Sequence, residues 1–255
     1  NKRTMAKQKG IIPLKGTIGN ITFYKSGDGY LAREKGGIDA KRIASDPAFQ
    51  RTRENGAEFG RAGRGSKMLR TALRQLVQHA SDRLMTSRLT REMMTVIKAD
   101  ETNERGRRNI IDGEAELLTG FEFNLNGKLS TTFFAPFTAT INRVTGELTV
   151  NIPSFIPANM LQAPTGTTHF KIVSGGAEID FENKTYVAQQ QSTAEIPWDN
   201  TASAVINLVN SVTANSTHPL FLVLGIEFLQ EVNGGMYPLK NGAFNALSLV
   251  KVSGV

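Results

Sequence analysis

The chain has 255 residues, of which 40% are hydrophobic and 21% charged, a composition that suits an ordinary globular protein with one large domain or two small ones. It has no cysteine, which excludes disulfides, thiolate metal sites and cysteine nucleophiles. The formal net charge of +7 is uneven: residues through Gly120 carry 24 Lys/Arg against 14 Asp/Glu, and the remainder carry 6 against 9. A basic part followed by a mildly acidic one predicts two modules and permits head-to-tail attraction between copies.

Residues 1–14 read as a basic extended arm containing Lys2, Arg3, Lys7 and Lys9. Only Ile11-Ile12-Pro13-Leu14 follows its charges, so no signal-peptide apolar segment is expected and classical secretion is not. No apolar run reaches the roughly 18–20 residues that span a bilayer. The stretch 15–37 predicts a β-hairpin. Ile18, Ile21, Phe23 and Tyr24 are β-prone, Ser26-Gly27-Asp28-Gly29 forms the turn, and Tyr30-Leu31-Ala32-Arg33 returns. Gly36-Gly37 breaks this pattern. Two strands alone are marginal in water, so the hairpin must dock on its own chain or on a neighbouring copy.

After a linker over 38–45, Ser45-Asp46-Pro47 starts a helix running to about Gly63, with a capping side chain and proline in the first turn. Phe49, Thr52, Gly56, Phe59 and Gly63 fall near one narrow face of it. The glycine-rich run 60–65 predicts a break before a second helix from Ser66, whose stripe is Leu69, Leu73, Leu76, Val77, Ala80 and Leu84. Met85, Leu89, Met93, Val96 and Ile97 continue helical spacing, with Ser81-Asp82 either separating two helices or lying inside one. Residues 38–120 thus form a basic helical region, closing on a charged loop at 100–109 and a short helix over Asp112–Thr119.

From residue 121 the period changes to that of strands. The candidates are Phe121–Phe123, Leu129–Phe134, Ala139–Asn142, Leu148–Ile152, His169–Val173, Ala177–Phe181, Thr185–Gln189, Ala204–Val209, Leu220–Val232 and Phe244–Val252. Arg143-Val144-Thr145-Gly146-Glu147, with glycine where a left-handed residue is needed, joins Ala139–Asn142 and Leu148–Ile152 as a hairpin. Turn signals about every ten residues predict an antiparallel β-sandwich over 121–255 that folds alone. The expected class is α+β.

Catalytic chemistry is not legible. His79, His169 and His218 form no metal-ligand pair, no Gly-x-Ser-x-Gly elbow frames a nucleophile, and no phosphate loop or cofactor motif occurs. Glu178, Asp180 and Glu182 alternate on one face, as glycosidase or calcium carboxylates can, but a solvated strand face is the stronger account of them. The basic residues have a plausible partner: Lys7, Lys9, Lys41, Arg42, Arg51, Arg53, Arg61 and Arg64 are candidate contacts to phosphates or to an acidic neighbour. They are interleaved with Glu54 and Glu58 and lack stacking aromatics, so only weak, non-specific nucleic-acid binding is expected.

The run Gly16-Thr-Ile-Gly19-Asn20-Ile-Thr-Phe-Tyr24, the return Gly29-Tyr30-Leu31-Ala32-Arg33 and the helix opening Asp46-Pro47-Ala48-Phe49-Gln50-Arg51-Thr52-Arg53 resemble a group of bacterial proteins of Bacteroidota type. These open with such a hairpin and basic helix and end in a variable β-rich domain. The resemblance covers about the first quarter of the chain. It implies no activity, only that the hairpin and helix form a module carried on changeable β domains.

The expected function is therefore structural, not enzymatic: copies join into a filament, tube or virion-like particle by strand addition through the arm and hairpin. The candidate interface is Ile18, Ile21, Phe23, Tyr24, Tyr30, Leu31, Phe49 and Phe59. The alternative is a nucleic-acid-associated protein using the basic half.

Overall fold

The computed structural model describes residues 5–10, 12–34 and 38–254. The chain divides into two compact units, Asn1–Arg53 and Glu54–Val255. The expected break at Gly36-Gly37 and the arm residues Lys2 and Arg3 lie outside the described residues.

In the first unit, β1 (Met5–Lys7), β2 (Gly16–Ile18), β3 (Ile21–Ser26) and β4 (Gly29–Glu34) form an antiparallel sheet in the order β1-β4-β3-β2. The predicted hairpin is β3–β4, closed by Gly27-Asp28 with Ser26 opposite Gly29. The Ser26 hydroxyl accepts from the Asp28 N–H at 3.1 Å. The sheet is larger than the sequence predicts. Residues ahead of the hairpin turn back at Gly19-Asn20 to add β2, and Met5–Lys7 pairs with β4 instead of extending free. The free edge of β4 offers main-chain partners that an extended arm would otherwise leave to water. Gln8 secures the addition: its side-chain amide donates to the Leu31 carbonyl and its oxygen accepts from the Leu14 N–H.

Asp39 caps α1 (Ala40–Ser45), and Asp46 caps the 3-10 turn Pro47–Phe49 by accepting from the Ala48 N–H at 2.9 Å. The sequence signature of a capping acid followed by proline thus acts as predicted. The helix α2 (Gln50–Ala72) follows.

The predicted break at 60–65 does not occur; α2 runs through all three glycines. Ala62, Gly65, Ser66 and Leu69 are buried, and this packing outweighs the roughly 1 kcal/mol helix penalty of each glycine. Gly65 has a packing reason, since a Cβ there would sit 2.2 Å from Ile110 Cδ1. The helix ends at Ala72, and Leu73 separates it from α3 (Arg74–His79). Ser81-Asp82 separates α3 from α4 (Met85–Lys98), with Asp82 accepting from the Leu84 N–H at 2.7 Å. The short helix expected over Asp112–Thr119 is a 3-10 turn, Ala115–Leu118.

Beyond residue 120 two antiparallel sheets form, as the α+β class requires. The smaller has the order β10-β6-β5, from β5 (Thr138–Asn142), β6 (Glu147–Ile152) and β10 (Ile206–Ser211). The larger is built on β7 (His169–Asp180) and β11 (Leu220–Val232). β8 (Thr185–Ser192) and β9 (Ile196–Pro197) pair with β7, and β12 (Gly235–Pro238) and β13 (Ala246–Ser253) pair with β11. Two single turns, α5 (Leu129–Thr132) and α6 (Pro157–Met160), lie in the connections. The strand predicted over Leu129–Phe134 is α5, because the Glu122 carboxylate accepts from the Leu129 and Ser130 N–H groups and holds them as a helix start. His169–Val173 and Ala177–Phe181 are one long strand, and Phe121–Phe123 runs beside β13, with Phe123 N–H donating to Leu247 and Leu249 N–H to Phe121.

The larger sheet is buried on both faces along β7, β11 and β13. Alternate residues Phe221, Val223, Ile179, Leu247 and Leu249 share one cluster with Leu69, Leu73, Leu76, Leu89, Met93 and Val96 of the helices. Their neighbours Leu220, Leu222, Leu224, Phe170 and Ile172 share another with Leu148, Val150 and Ile152 of the smaller sheet. This explains why β11 reads as an unbroken apolar run, and it is one strand without a split. Gly175 on β7 lets α3 approach, as a Cβ there would meet Leu76 Cδ1 at 2.6 Å. The boundary expected at residue 120 is accordingly corrected. The helical stripe from 62 to 97 shares its core with one face of the larger sheet, and the division falls at Arg53/Glu54.

Candidate functional site

The first unit is poor in core. Among its described residues Leu31 is the one buried hydrophobic side chain. Strand alternation sorts the rest onto two faces. One face carries Ile18 opposite Ile21, Phe23 opposite Ala32, and Tyr30 opposite Lys25. Ile18 is 65% and Ile21 46% exposed, and Phe23 and Tyr30 are half-buried. The Lys25 ammonium lies 5.6 Å from the centre of the Tyr30 ring. The opposite face is more polar and better satisfied. Tyr24 and Lys7 flank Leu31, the Arg33 guanidinium lies 5.3 Å from the Tyr24 ring, and the Thr17 and Thr22 hydroxyls are 3.3 Å apart. Strands β2 and β1 end the sheet.

Of the predicted interface residues, the structure gathers Ile18, Ile21, Phe23 and Tyr30 on one face and puts Tyr24 and Leu31 on the other. Phe49 is separate, in the 3-10 turn, with the Arg42 guanidinium 5.8 Å from its ring. Phe59 belongs to the second unit and is 63% exposed on α2.

The predicted basic contacts split by role. Lys7, Lys9, Lys41, Arg51 and Arg64 are exposed. Arg42 pairs with Asp46 at 3.1 Å, and Arg53 donates to the Ile43 and Asp46 carbonyls at 2.7 and 2.9 Å. Arg61 donates to the Gly106 and Arg108 carbonyls at 2.7 and 3.0 Å. These three therefore have structural duties that charge patterning does not reveal. Arg61 and Arg64 do line a cleft of about 780 Å³ with Arg107 and Lys184, but Asp112 and Glu182 share its wall.

Two carboxylates of β7, Asp180 and Glu178, are held by hydrogen bonds from neighbouring loops. Asp180 accepts from the Glu182 and Asn183 N–H groups; these bonds, Asn183 first, hold its carboxyl below the usual range. Burial opposes ionisation of Glu178, yet hydrogen bonds from Thr213 and Ser216 outweigh it and lower its pKa. Glu122 is the opposite case. In a cleft of about 710 Å³, burial pushes its carboxyl up despite bonds from Leu129 and Ser130. His79 meets Glu227 at 3.1 Å, His218 lies 3.8 Å from Asp180, and His169 contacts Thr168. Among the described residues no three His, Cys, Asp or Glu side chains come together as metal ligands, and no helix is long and apolar enough to cross a membrane.

Two features were missed in the sequence. Arg143, in the predicted β5–β6 turn, donates to the Ser216 and His218 carbonyls and to Ser253 and Gly254, fastening the last strand. β8 is exposed along almost its whole length. Comparison of the chain with protein-family models, curated proteins and solved structures gives no match.

Proposed function

We propose that this chain is a structural subunit that joins copies of itself through its N-terminal sheet. The observation behind this reading is the imbalance of the first unit, which among its described residues buries one apolar side chain while Ile18, Ile21, Phe23 and Tyr30 share a face beside the open strand β2. A small sheet with so little core gains stability when that face is covered. Each large side chain buried contributes roughly 1.5–3 kcal/mol before entropy costs. A second copy is the occupant, added by strand pairing at β2 and packing on the apolar face, and repetition builds a filament, tube or virion-like particle. The basic residues before Gly120 and the acidic balance after it favour head-to-tail contact between copies. The body behind this contact is read as an antiparallel β-sandwich, on the strength of the core shared by the two sheets.

The test uses the full chain. Ile18→Glu with Ile21→Glu places two carboxylates on the exposed face without touching the core. Negative-stain microscopy and sedimentation velocity are expected to show assemblies for the wild type and their loss in the double variant, with an unchanged melting temperature. A wild type that stays monomeric at high concentration overturns the reading, as does a variant that assembles normally. Exposed Lys7, Lys9, Lys41, Arg51 and Arg64 keep nucleic-acid association as the competing outcome. It would appear as binding that persists at physiological salt, against the steep decline expected of non-specific phosphate contacts.

A further inference from the structure

The larger sheet guards its rims unequally. The outer side of β13 is covered by the backbone of Gly120–Phe123. β12 has four residues and ends in proline, which donates no main-chain hydrogen bond. β8 has neither protection. It is eight residues long, Thr-Tyr-Val-Ala-Gln-Gln-Gln-Ser, and pairs with β7 from Asp180↔Thr185 to Val173↔Ser192 with no bulge. It carries no charge and no proline, and seven of its eight residues are exposed, Gln191 being half-buried. Long edge strands usually carry lysine, proline or a bulge to prevent pairing. On one face β8 lies close to β10 of the smaller sheet, with Gln189 accepting from the Ser211 N–H, while the backbone of β10 pairs with β6. The outward N–H and C=O groups of β8 therefore have no strand partner among the described residues. A shallow groove between β8 and the α2–α3 junction, lined by Tyr186, Ala188 and Gln190 with Leu73, Leu76 and the exposed Arg74, runs beside this edge, whose own strand is uncharged.

We infer that β8 is a second assembly contact, pairing antiparallel with β8 of another copy across a two-fold axis and joining the two larger sheets into one. The choice of a second copy rests on charge. A two-fold antiparallel contact sets residues equidistant from the axis opposite one another, so charges of one sign on this strand would be brought together near the axis. An edge built for a basic or acidic partner would carry the opposite charge; this one carries none. Glutamine suits the symmetric arrangement because its amide both donates and accepts, so identical side chains satisfy each other. This contact is isologous and closes as a dimer. It becomes propagating only in combination with the N-terminal sheet, and it stands whether or not that sheet assembles.

The experiment is done on the full chain in the Ile18→Glu/Ile21→Glu background, where the N-terminal contact is disabled. Sedimentation velocity is expected to show a dimer. Adding Ala188→Lys and Gln190→Lys is expected to weaken it at least about tenfold, since like charges then oppose across the axis. Mixing that variant with its Ala188→Glu/Gln190→Glu counterpart is expected to restore dimers, which a misfolded protein would not do. Because the chain has no cysteine, single cysteines at Val187, Ala188, Gln189 and Gln190 report directly. At least one is expected to cross-link under mild oxidation faster than Val144→Cys, an exposed site away from β8. A monomer in the starting background, lysines without effect, or no cysteine exceeding the control overturns the assignment. Loss of wild-type assemblies in the N-terminal variant with β8 dimers retained supports both contacts; dimers without any larger wild-type assembly support β8 alone.

Discussion

Replacing Glu58 by alanine removes one half of a buried ion pair that ties α2 to the 100–109 loop. The side chain is 1% exposed. Its Oε1 accepts from the Gly106 N–H at 2.8 Å and from Arg108 Nε at 2.8 Å, and Oε2 lies 3.2 Å from Arg108 Nη2. Arg108 is itself largely covered, at 20%. Truncation leaves that guanidinium and one amide without their acceptor, and breaking a buried pair on one side costs about 3–5 kcal/mol. In a unit of this size that lowers the melting temperature by roughly 10 °C. The pH dependence has a definite sign. Burial raises the Glu58 pKa, but Arg108 and the Gly106 amide outweigh it and hold the carboxyl below its usual value of 4.5. The contribution is fully present above that value and disappears as pH falls through the lower folded-state value. The gap between wild type and Glu58→Ala, measured by chemical denaturation, is thus expected to be largest near neutrality and to narrow in acid. Glu58→Met with Arg108→Met is expected to recover much of the loss. A cost under about 1 kcal/mol at neutral pH, or one that does not change in acid, would refute this account.

Gly65→Ala is expected to destabilise by about 1–3 kcal/mol because its Cβ meets Ile110, whereas Gly63→Ala, facing open space, stabilises by up to about 1 kcal/mol. Thermal melts of the two variants give opposite shifts, and equal shifts would contradict the packing described for α2. A fragment starting at Phe121 is expected to lack a cooperative unfolding transition, since without α2–α4 the sheet face of Phe221, Val223 and Leu249 lies bare. A sharp, reversible melt of that fragment would place the fold boundary at Gly120 after all.

Local chemistry was legible where a few adjacent residues decide the outcome. The β3–β4 turn, the Asp46-Pro47 helix start and the β5–β6 hairpin follow from turn and cap residues alone. The period of two also places Ile21 and Phe23 together. What failed required knowing the partner. An amphipathic stripe shows that a helix face is buried, not that it is buried on a sheet formed a hundred residues later. The charge step at Gly120 concerns surface composition, which need not coincide with a core boundary. Glycines in α2 read as a break because their cost is local and their compensation, at Ile110, is not. Arg143 carries no signal at all in its own neighbourhood, since its acceptors lie 73–111 residues further on. The composition of β8 was visible, but its position at a rim is a matter of topology.

The double burial of the central sheet bears on the order in which the protein is made. β2, β3 and β4 are neighbours in sequence and can pair within moments of synthesis, at the microsecond rates typical of hairpins. The helical stripe from Ala62 to Ile97 has no surface to settle on until β7, β11 and finally β13 have been translated. At roughly 5–20 residues per second, that leaves its apolar side chains waiting on the order of ten seconds or more. The N-terminal sheet thus forms before the second unit is complete, and under the self-association proposed above contacts between nascent copies compete with completion of the fold. A chain of this design favours dilute synthesis or a chaperone that shields α2–α4 until the last strand arrives.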